Sequence, residues 1–123
     1  MKCSYTIQND EEITYIDVYG TVTKEVLQKI LGEVWQKNDS QPPGILWDFR
    51  SCVLGFGPKE LKELSHFVIE NRERRTYRKV AFVIEKDLHF GLLRIYKTYV
   101  GDMPFEVKAF REIELAKEWL HPV

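Results

Sequence analysis

Val80-Ala81-Phe82-Val83-Ile84, within a run from Lys79 to Ile84, is apolar at every position and sits between two stretches whose apolar residues recur at helical spacing. A short strand with two apolar faces needs cover on both of them. That is the pattern of a parallel sheet packed between helices. Before it, Leu61, Leu64, Phe67 and Val68 form a helical stripe behind Pro58, which suits a first helical position because its missing N–H has no partner there anyway. After it, Asp87 can cap a helix that buries Leu88, Leu92, Ile95 and Tyr99 and ends at Gly101. The same alternation extends in both directions. Thr23 caps a helix with the stripe Val26, Leu27, Ile30, Leu31, Val34 and Trp35, with Glu25 and Lys29 paired on its outer face; Asn38 to Gly44, carrying Pro42-Pro43, stops it. Ile45 to Phe49 reads as a buried strand and Phe105 to Phe110 as the last strand. Glu112 to Leu120 is a final helix with Ala116, Trp119 and Leu120 inward. At the start, Ser4 to Gln8 and Ile13 to Tyr19 flank Asn9-Asp10-Glu11-Glu12 as a hairpin. The order is β-β-α-β-α-β-α-β-α. Strands joined through helices require crossover connections, so the expected α/β fold has one mostly parallel sheet, made mixed by the hairpin, with helices packed on it.

The 123 residues fit one domain, 1–123. A net charge of −1, from 18 basic and 19 acidic residues, argues against nucleic-acid binding driven by bulk charge. The local exception, Arg72 to Lys79, holds five basic residues and one acid. It reads as a solvated turn at a helix C-terminus or as a docking patch for an acidic partner, at the opposite end of the sheet from the strand termini considered next. No apolar core follows Lys2, and no apolar run is long enough to cross a bilayer. The expectation is a cytoplasmic chain with no transmembrane segment and with Cys3 and Cys52 reduced, although a bridge between the two stays open.

In an open parallel sheet, ligands bind outside the carboxyl ends of the strands. That rule selects Gly20-Thr21, then Asp48-Phe49-Arg50 running into a Ser51 to Gly57 loop, then Glu85-Lys86-Asp87 ahead of a helix bearing His89, Phe90 and Arg94. The candidate ligand- or partner-binding rim is therefore Thr21, Asp48, Arg50, Phe56, Asp87, His89, Phe90 and Arg94. Each charged member has a structural alternative. Asp48 and Arg50 can form an ion pair that ties the loop down, Asp87 can serve as a cap, and His89 stands beside the positive end of a helix dipole that disfavours its protonated form. Gly91, about 1 kcal/mol worse than alanine inside a helix, marks close approach of another backbone or a ligand. His66, His89 and His121 lack metal-ligand spacing, and no phosphate loop, dinucleotide fingerprint or nucleophile elbow is present. No cofactor, metal or catalytic residue is expected. An enzyme using Asp48, Arg50 or His89 ranks last, and Cys52 reads as inert.

The segments Gly20-Thr21, Leu46-Trp47-Asp48-Phe49-Arg50, Ala81-Phe82-Val83-Ile84, Phe90-Gly91-Leu92-Leu93-Arg94-Ile95-Tyr96 and Phe110-Arg111 to Ala116-Lys117-Glu118-Trp119-Leu120, in that order, resemble the SpoIIAA-like branch of the STAS family. That branch is related in fold to SEC14-type (CRAL-TRIO) lipid-binding domains. The resemblance implies a regulatory domain without catalysis. STAS antagonists of this kind bind an anti-sigma-factor kinase and are switched by phosphorylation of a Ser or Thr at the start of the helix after the third strand. Here that stretch reads Leu54-Gly55-Phe56-Gly57-Pro58-Lys59, without a hydroxyl, and Ser51 comes several residues too early. Two functions follow as expectations. One is a protein-interaction module of unknown partner without the phosphorylation switch, which needs an exposed apolar patch near the second helix. The other is a carrier of a lipid or small apolar molecule, which needs a cavity of at least a few hundred Å³ bordered by Phe56, Phe90 and Arg94. A homodimer through helix faces or an edge strand also stays open.

Overall fold

A computed structural model describes residues 3–36, 42–71, 78–101, 103 and 105–121. The elements are β1 (Ser4–Asn9), β2 (Ile13–Val22), α1 (Lys24–Trp35), β3 (Gly44–Leu54), α2 (Pro58–Glu70), β4 (Lys79–Val83), α3 (Asp87–Val100), β5 (Glu106–Phe110) and α4 (Ile113–Leu120). They form one sheet in the order β1-β2-β3-β4-β5. The pair β1–β2 is antiparallel, and the other three pairs are parallel. The mixed α/β sheet read from the sequence is thus found, with the same order of elements.

The topology explains where the helices lie. Strands β2 to β5 add in one direction, each through a helix, and right-handed crossovers then place those helices on one face. Leu27, Ile30, Leu31, Val34 and Trp35 of α1 and Leu64 and Val68 of α2 pack there on Ile16, Val18, Ile45, Trp47 and Val80, with Tyr96 of α3 against the same cluster. α4 lies on the other face. There Ala116 and Leu120 cover Ile13, Leu46, Ala81 and Val83. An α-helix of eight residues spans only about 12 Å. It covers the amino-terminal half of that face and leaves the carboxyl-terminal half to Asp17, Tyr19 and Thr21.

Local signals act as read at several points. The Thr23 hydroxyl accepts from the Val26 N–H, Pro58 opens α2, and Gly101 ends α3 with φ +59°. Others need correction. The second and third strands run past their expected ends, so Gly20-Thr21-Val22 and Ser51 to Leu54 pair as parallel strands and are not the start of a helix and a loop. Lys24, not Lys29, lies beside Glu25, and it reaches Glu63 as well. Asp87 makes no capping hydrogen bond to α3. The buried face of α3 is His89, Leu92, Leu93 and Val100, while Leu88 and Tyr99 are exposed. Two apolar stripes compete on this helix, and the one that wins contains a histidine, which composition disfavours as a core residue. A Cβ on Gly91 would meet nothing within 4 Å, so close packing does not explain that glycine. The basic run from Arg72 to Tyr77 lies outside the described residues.

Gly20 sits inside β2 with φ +87°, a conformation that costs an L-residue roughly 1–2 kcal/mol. Gly20→Ala is accordingly expected to lower the denaturation midpoint by about that free energy. An unchanged midpoint in a urea titration would show that this backbone angle is not held.

Candidate functional site

β3 is longer than its neighbour β4. Only Gly44 to Asp48 pair with β4, whereas Ser51 to Leu54 pair with β2 alone. The β4-facing backbone groups of this overhang need other partners, because buried N–H and C=O groups left unpaired are costly. Side chains from the start of α3 supply them. The Leu54 N–H donates to His89 Nε2 at 3.3 Å, and Lys86 Nζ donates to the Cys52 carbonyl at 3.1 Å. His89 is 1% exposed. Burial first, and the nearby Lys86 ammonium second, hold its pKa below the usual histidine value. The neutral ring accepts through Nε2, so it carries its proton on Nδ1, and Nδ1 is buried without a partner.

The overhang begins with a bulge. Asp17 faces Asp48, but Tyr19 faces Ser51, so β3 holds one extra residue between the two pairs. Asp48 secures it. Its carboxylate accepts from the Arg50 backbone N–H at 3.0 Å, from Arg50 Nε at 3.0 Å and from Nη2 at 2.8 Å. Burial pushes the Asp48 carboxyl up, but the Arg50 hydrogen bonds outweigh it and hold the pKa below the ordinary carboxylate value. Across the strands Asp17 shifts the other way. Burial and then the Asp48 charge raise it, with Arg50 opposing. A carboxyl whose folded pKa is raised favours folding below its unfolded pKa and loses that contribution as pH rises through the folded value. Asp17→Asn should therefore raise the melting temperature at pH 7 and leave it nearly unchanged near pH 3; a lower melting temperature at pH 7 would contradict this.

After β3 the chain turns tightly into α2. The Gly55 N–H donates to the Val22 carbonyl at 2.8 Å, and a Cβ on Gly55 would stand 2.9 Å from the Thr21 methyl. Glu60 closes the helix start by accepting from the Gly57 N–H at 2.9 Å. A carboxylate therefore already occupies the end of the helix dipole that would favour a phosphate.

Behind this edge is a cavity of about 70 Å³, bounded by Trp47, Phe49 and Phe82 of the sheet, by Leu61, Leu64 and Val68 of α2, by His89, Leu92, Leu93 and Tyr96 of α3, and by Leu54 and Phe56 at the turn. Phe49 and Phe82 lie 5.5 Å apart along its floor. The cavity is much smaller than the few hundred Å³ expected of a carrier. Phe56 lines it, but Phe90 and Arg94 do not.

The expected rim thus resolves into parts. Asp48 and Arg50 are joined at the bulge, and Phe56 and His89 meet at the cavity. Asp87 and Phe90 are gathered by Arg111, whose guanidinium bonds Asp87 at 2.9 Å and lies 4.5 Å from the Phe90 ring centroid. Thr21 stands beside Gly55, and Arg94 is exposed on α3. Arg111 directly follows β5, a strand end outside the three that the sequence reading selects. Lys86 gave no signal beyond its position. Among the described residues the exposed large apolar side chains are Tyr19 at 43%, Val53 at 46% and Leu88 at 65%, with Tyr99 and Leu115. The apolar patch was expected near α2; none of these residues is on α2 itself, but Val53 lies on β3 just before it, next in the chain to Leu54, as Leu88 is to His89. Cys3 and Cys52 are both free. Burial pushes the Cys52 thiol up to about 12, so it is not a nucleophile at neutral pH. No group of three or more potential metal ligands occurs among the described residues.

Residues 13–121 match the SpoIIAA-like family. The chain belongs to that family. Solved structures agree in fold. An uncharacterized protein from Shewanella loihica with a SpoIIAA-like fold has a TM-score of 0.64 at 14% identity, covering 97% of this chain and 94% of that one. The anti-sigma factor antagonist SpoIIAA in its unphosphorylated form has a TM-score of 0.62 at 11% identity, covering 98% and 100%. An anti-sigma factor antagonist from Mycobacterium paratuberculosis has 0.61 at 15%, covering 97% and 94%. At these identities the likeness establishes the SpoIIAA-like fold. No curated protein matches the chain. Among the described residues no helix is long and apolar enough to cross a membrane.

Proposed function

We propose that this SpoIIAA-like chain is a non-catalytic, STAS-type regulatory module that docks a partner protein on the carboxyl edge of its sheet, without a phosphorylation switch at the start of α2. The observation that carries the proposal is the exposure of large apolar side chains on β2, on β3 and at the start of α3. Tyr19, Val53 and Leu88 are exposed there, among the charges of Asp48, Arg50, Lys86, Asp87 and Arg111. Apolar contacts inside a polar rim are how protein interfaces are built. Two of the structural neighbours are anti-sigma factor antagonists, which is consistent with a docking role. The hydroxyl-free stretch Leu54 to Lys59 and the Glu60 carboxylate at the helix start support the absence of the switch. Recovery of a partner with the tagged protein, followed by titration with wild type and with Val53→Asp/Leu88→Glu, tests this. The expected loss in affinity is tenfold or more at equal folded content. Equal affinity would move the interface elsewhere.

The cavity favours a second reading, a small apolar ligand. About 70 Å³ admits only a molecule of few heavy atoms or the end of a chain, far below a lipid carrier's pocket.

A further inference from the structure

We infer that two copies of this chain join through β1, paired antiparallel about a two-fold axis at Thr6, so that the sheet continues from one molecule into the other. β1 and β5 end the sheet, and they end it differently. An edge strand leaves a row of backbone N–H and C=O groups open to another strand, and proteins blunt such edges with charges, proline or a bulge. β5 carries Glu106 and Lys108. β1, which reads Ser4-Tyr5-Thr6-Ile7-Gln8-Asn9, has neither a charge nor a proline. Its register with β2 is unbroken from Ser4 to Asn9, so no bulge turns the free edge away. Among the described residues β1 pairs with β2 alone.

The side chains select the occupant. Successive residues of a strand face opposite sides of the sheet. A two-fold axis normal to the sheet keeps each side continuous, so only residues on the same side can stand opposite one another. Centred on Thr6, the pairing sets Thr6 against Thr6, Tyr5 against Ile7 and Ser4 against Gln8. Thr–Thr and aromatic–β-branched pairs are favourable cross-strand neighbours, and no charges meet. Tyr5 and Ile7 are half-buried against the helix-covered core, where the Tyr5 hydroxyl donates to Glu33 at 2.7 Å. Ser4, Thr6 and Gln8 are exposed on the other side. The pairing therefore covers more of the apolar row and meets the polar row with its own kind. Any extended strand can use the backbone edge, but β1 itself supplies this match of side chains. The contact lies two strands away from Val53, so it stands apart from the docking proposal.

Six residues a side make a small interface, so the pair is expected to form and dissociate between about 1 μM and 1 mM, a range that sedimentation equilibrium measures. Thr6→Lys sets two ammonium groups opposite each other at the axis and is expected to weaken association about tenfold or more. Thr98→Lys, the same exchange at an exposed position on α3, should leave it unchanged. Oxidation of Thr6→Cys in a Cys3→Ser background gives a second readout, which remains if Thr6→Lys fails to fold. Opposed Cα atoms of paired strands are about 4.5–5.5 Å apart, within disulfide reach. A covalent dimer is expected from position 6 and none from Gln8→Cys, which faces Ser4. A wild type that is monomeric at every concentration overturns the inference and leaves the edge to a strand of another protein. A dimer that is indifferent to Thr6→Lys and does not crosslink through position 6 overturns it as well.

Discussion

Asp48→Ala should destabilise the protein by about 2 kcal/mol, the usual worth of hydrogen bonds to a charged group, although it removes no core side chain. The carboxylate holds a β-bulge. Of its three donors, the Arg50 backbone N–H matters most, because a bulge takes that group off the ladder and no strand can pair it. The guanidinium contacts count for less, since Arg50 is partly exposed and water competes for it. This ranking gives an internal control. Arg50→Ala should have a smaller effect than Asp48→Ala, because it keeps the backbone N–H bonded to Asp48. Asp48→Asn should fall between the two, keeping an acceptor without the charge. The Asp48 contribution, with its pKa held low, is present above the unfolded carboxylate pKa of about 4 and is lost as pH falls through the folded value. Urea titrations at pH 7 and pH 3 measure both effects. Equal losses for Asp48→Ala and Arg50→Ala would mean the ion pair, not the backbone bond, holds the bulge.

The second large effect is a loss of stability on mild acidification, carried by His89. Its folded pKa is depressed, so its contribution is full above the unfolded value of about 6.5 and declines as pH falls. Protonating Nε2 also removes the acceptor that satisfies Leu54. One proton taken up on unfolding gives a slope of at most about 1.4 kcal/mol per pH unit. The groups facing the ring are Lys86, whose charge works in the same direction, and the apolar lining of the cavity. Denaturation midpoints measured between pH 7.5 and 5 should fall in the wild type and much less in His89→Leu, whose stability at pH 7.5 is already reduced. Parallel pH profiles for the two proteins would place the titration on another group.

Much of this edge could be anticipated because it depends on sequence-local chemistry. The spacing of Asp48 and Arg50 fixes their contact, the alternation of strands and helices fixes the parallel sheet, and the strand-end rule then picks out the segments that meet. What escaped depends on where elements stop. The lengths of β2 and β3 beyond Tyr19 and Phe49 are set by their pairing with each other, which pulls Ser51 to Leu54 out of an apparent loop. That overhang in turn requires His89 and Lys86, so a histidine read as a member of the rim is buried and Leu88 is displaced to the surface. Gly91 misled because the residue type signals close approach in general, and here no neighbour is near. The cavity's size was not legible either. It is the residue of aromatic packing among Phe49, Phe56 and Phe82, which no spacing rule reports.

A photo-reactive phenylalanine analogue introduced in turn at Val53, at Leu88 and at Lys62 on the exposed face of α2, followed by irradiation in living cells, tests the docking edge most directly. The expected result is a discrete crosslinked species of one mass from positions 53 and 88, none from 62, and its loss at position 53 when Leu88→Glu is added. Crosslinking from 62 with none from 53 or 88 would contradict the proposal that this protein acts through the carboxyl edge of its sheet.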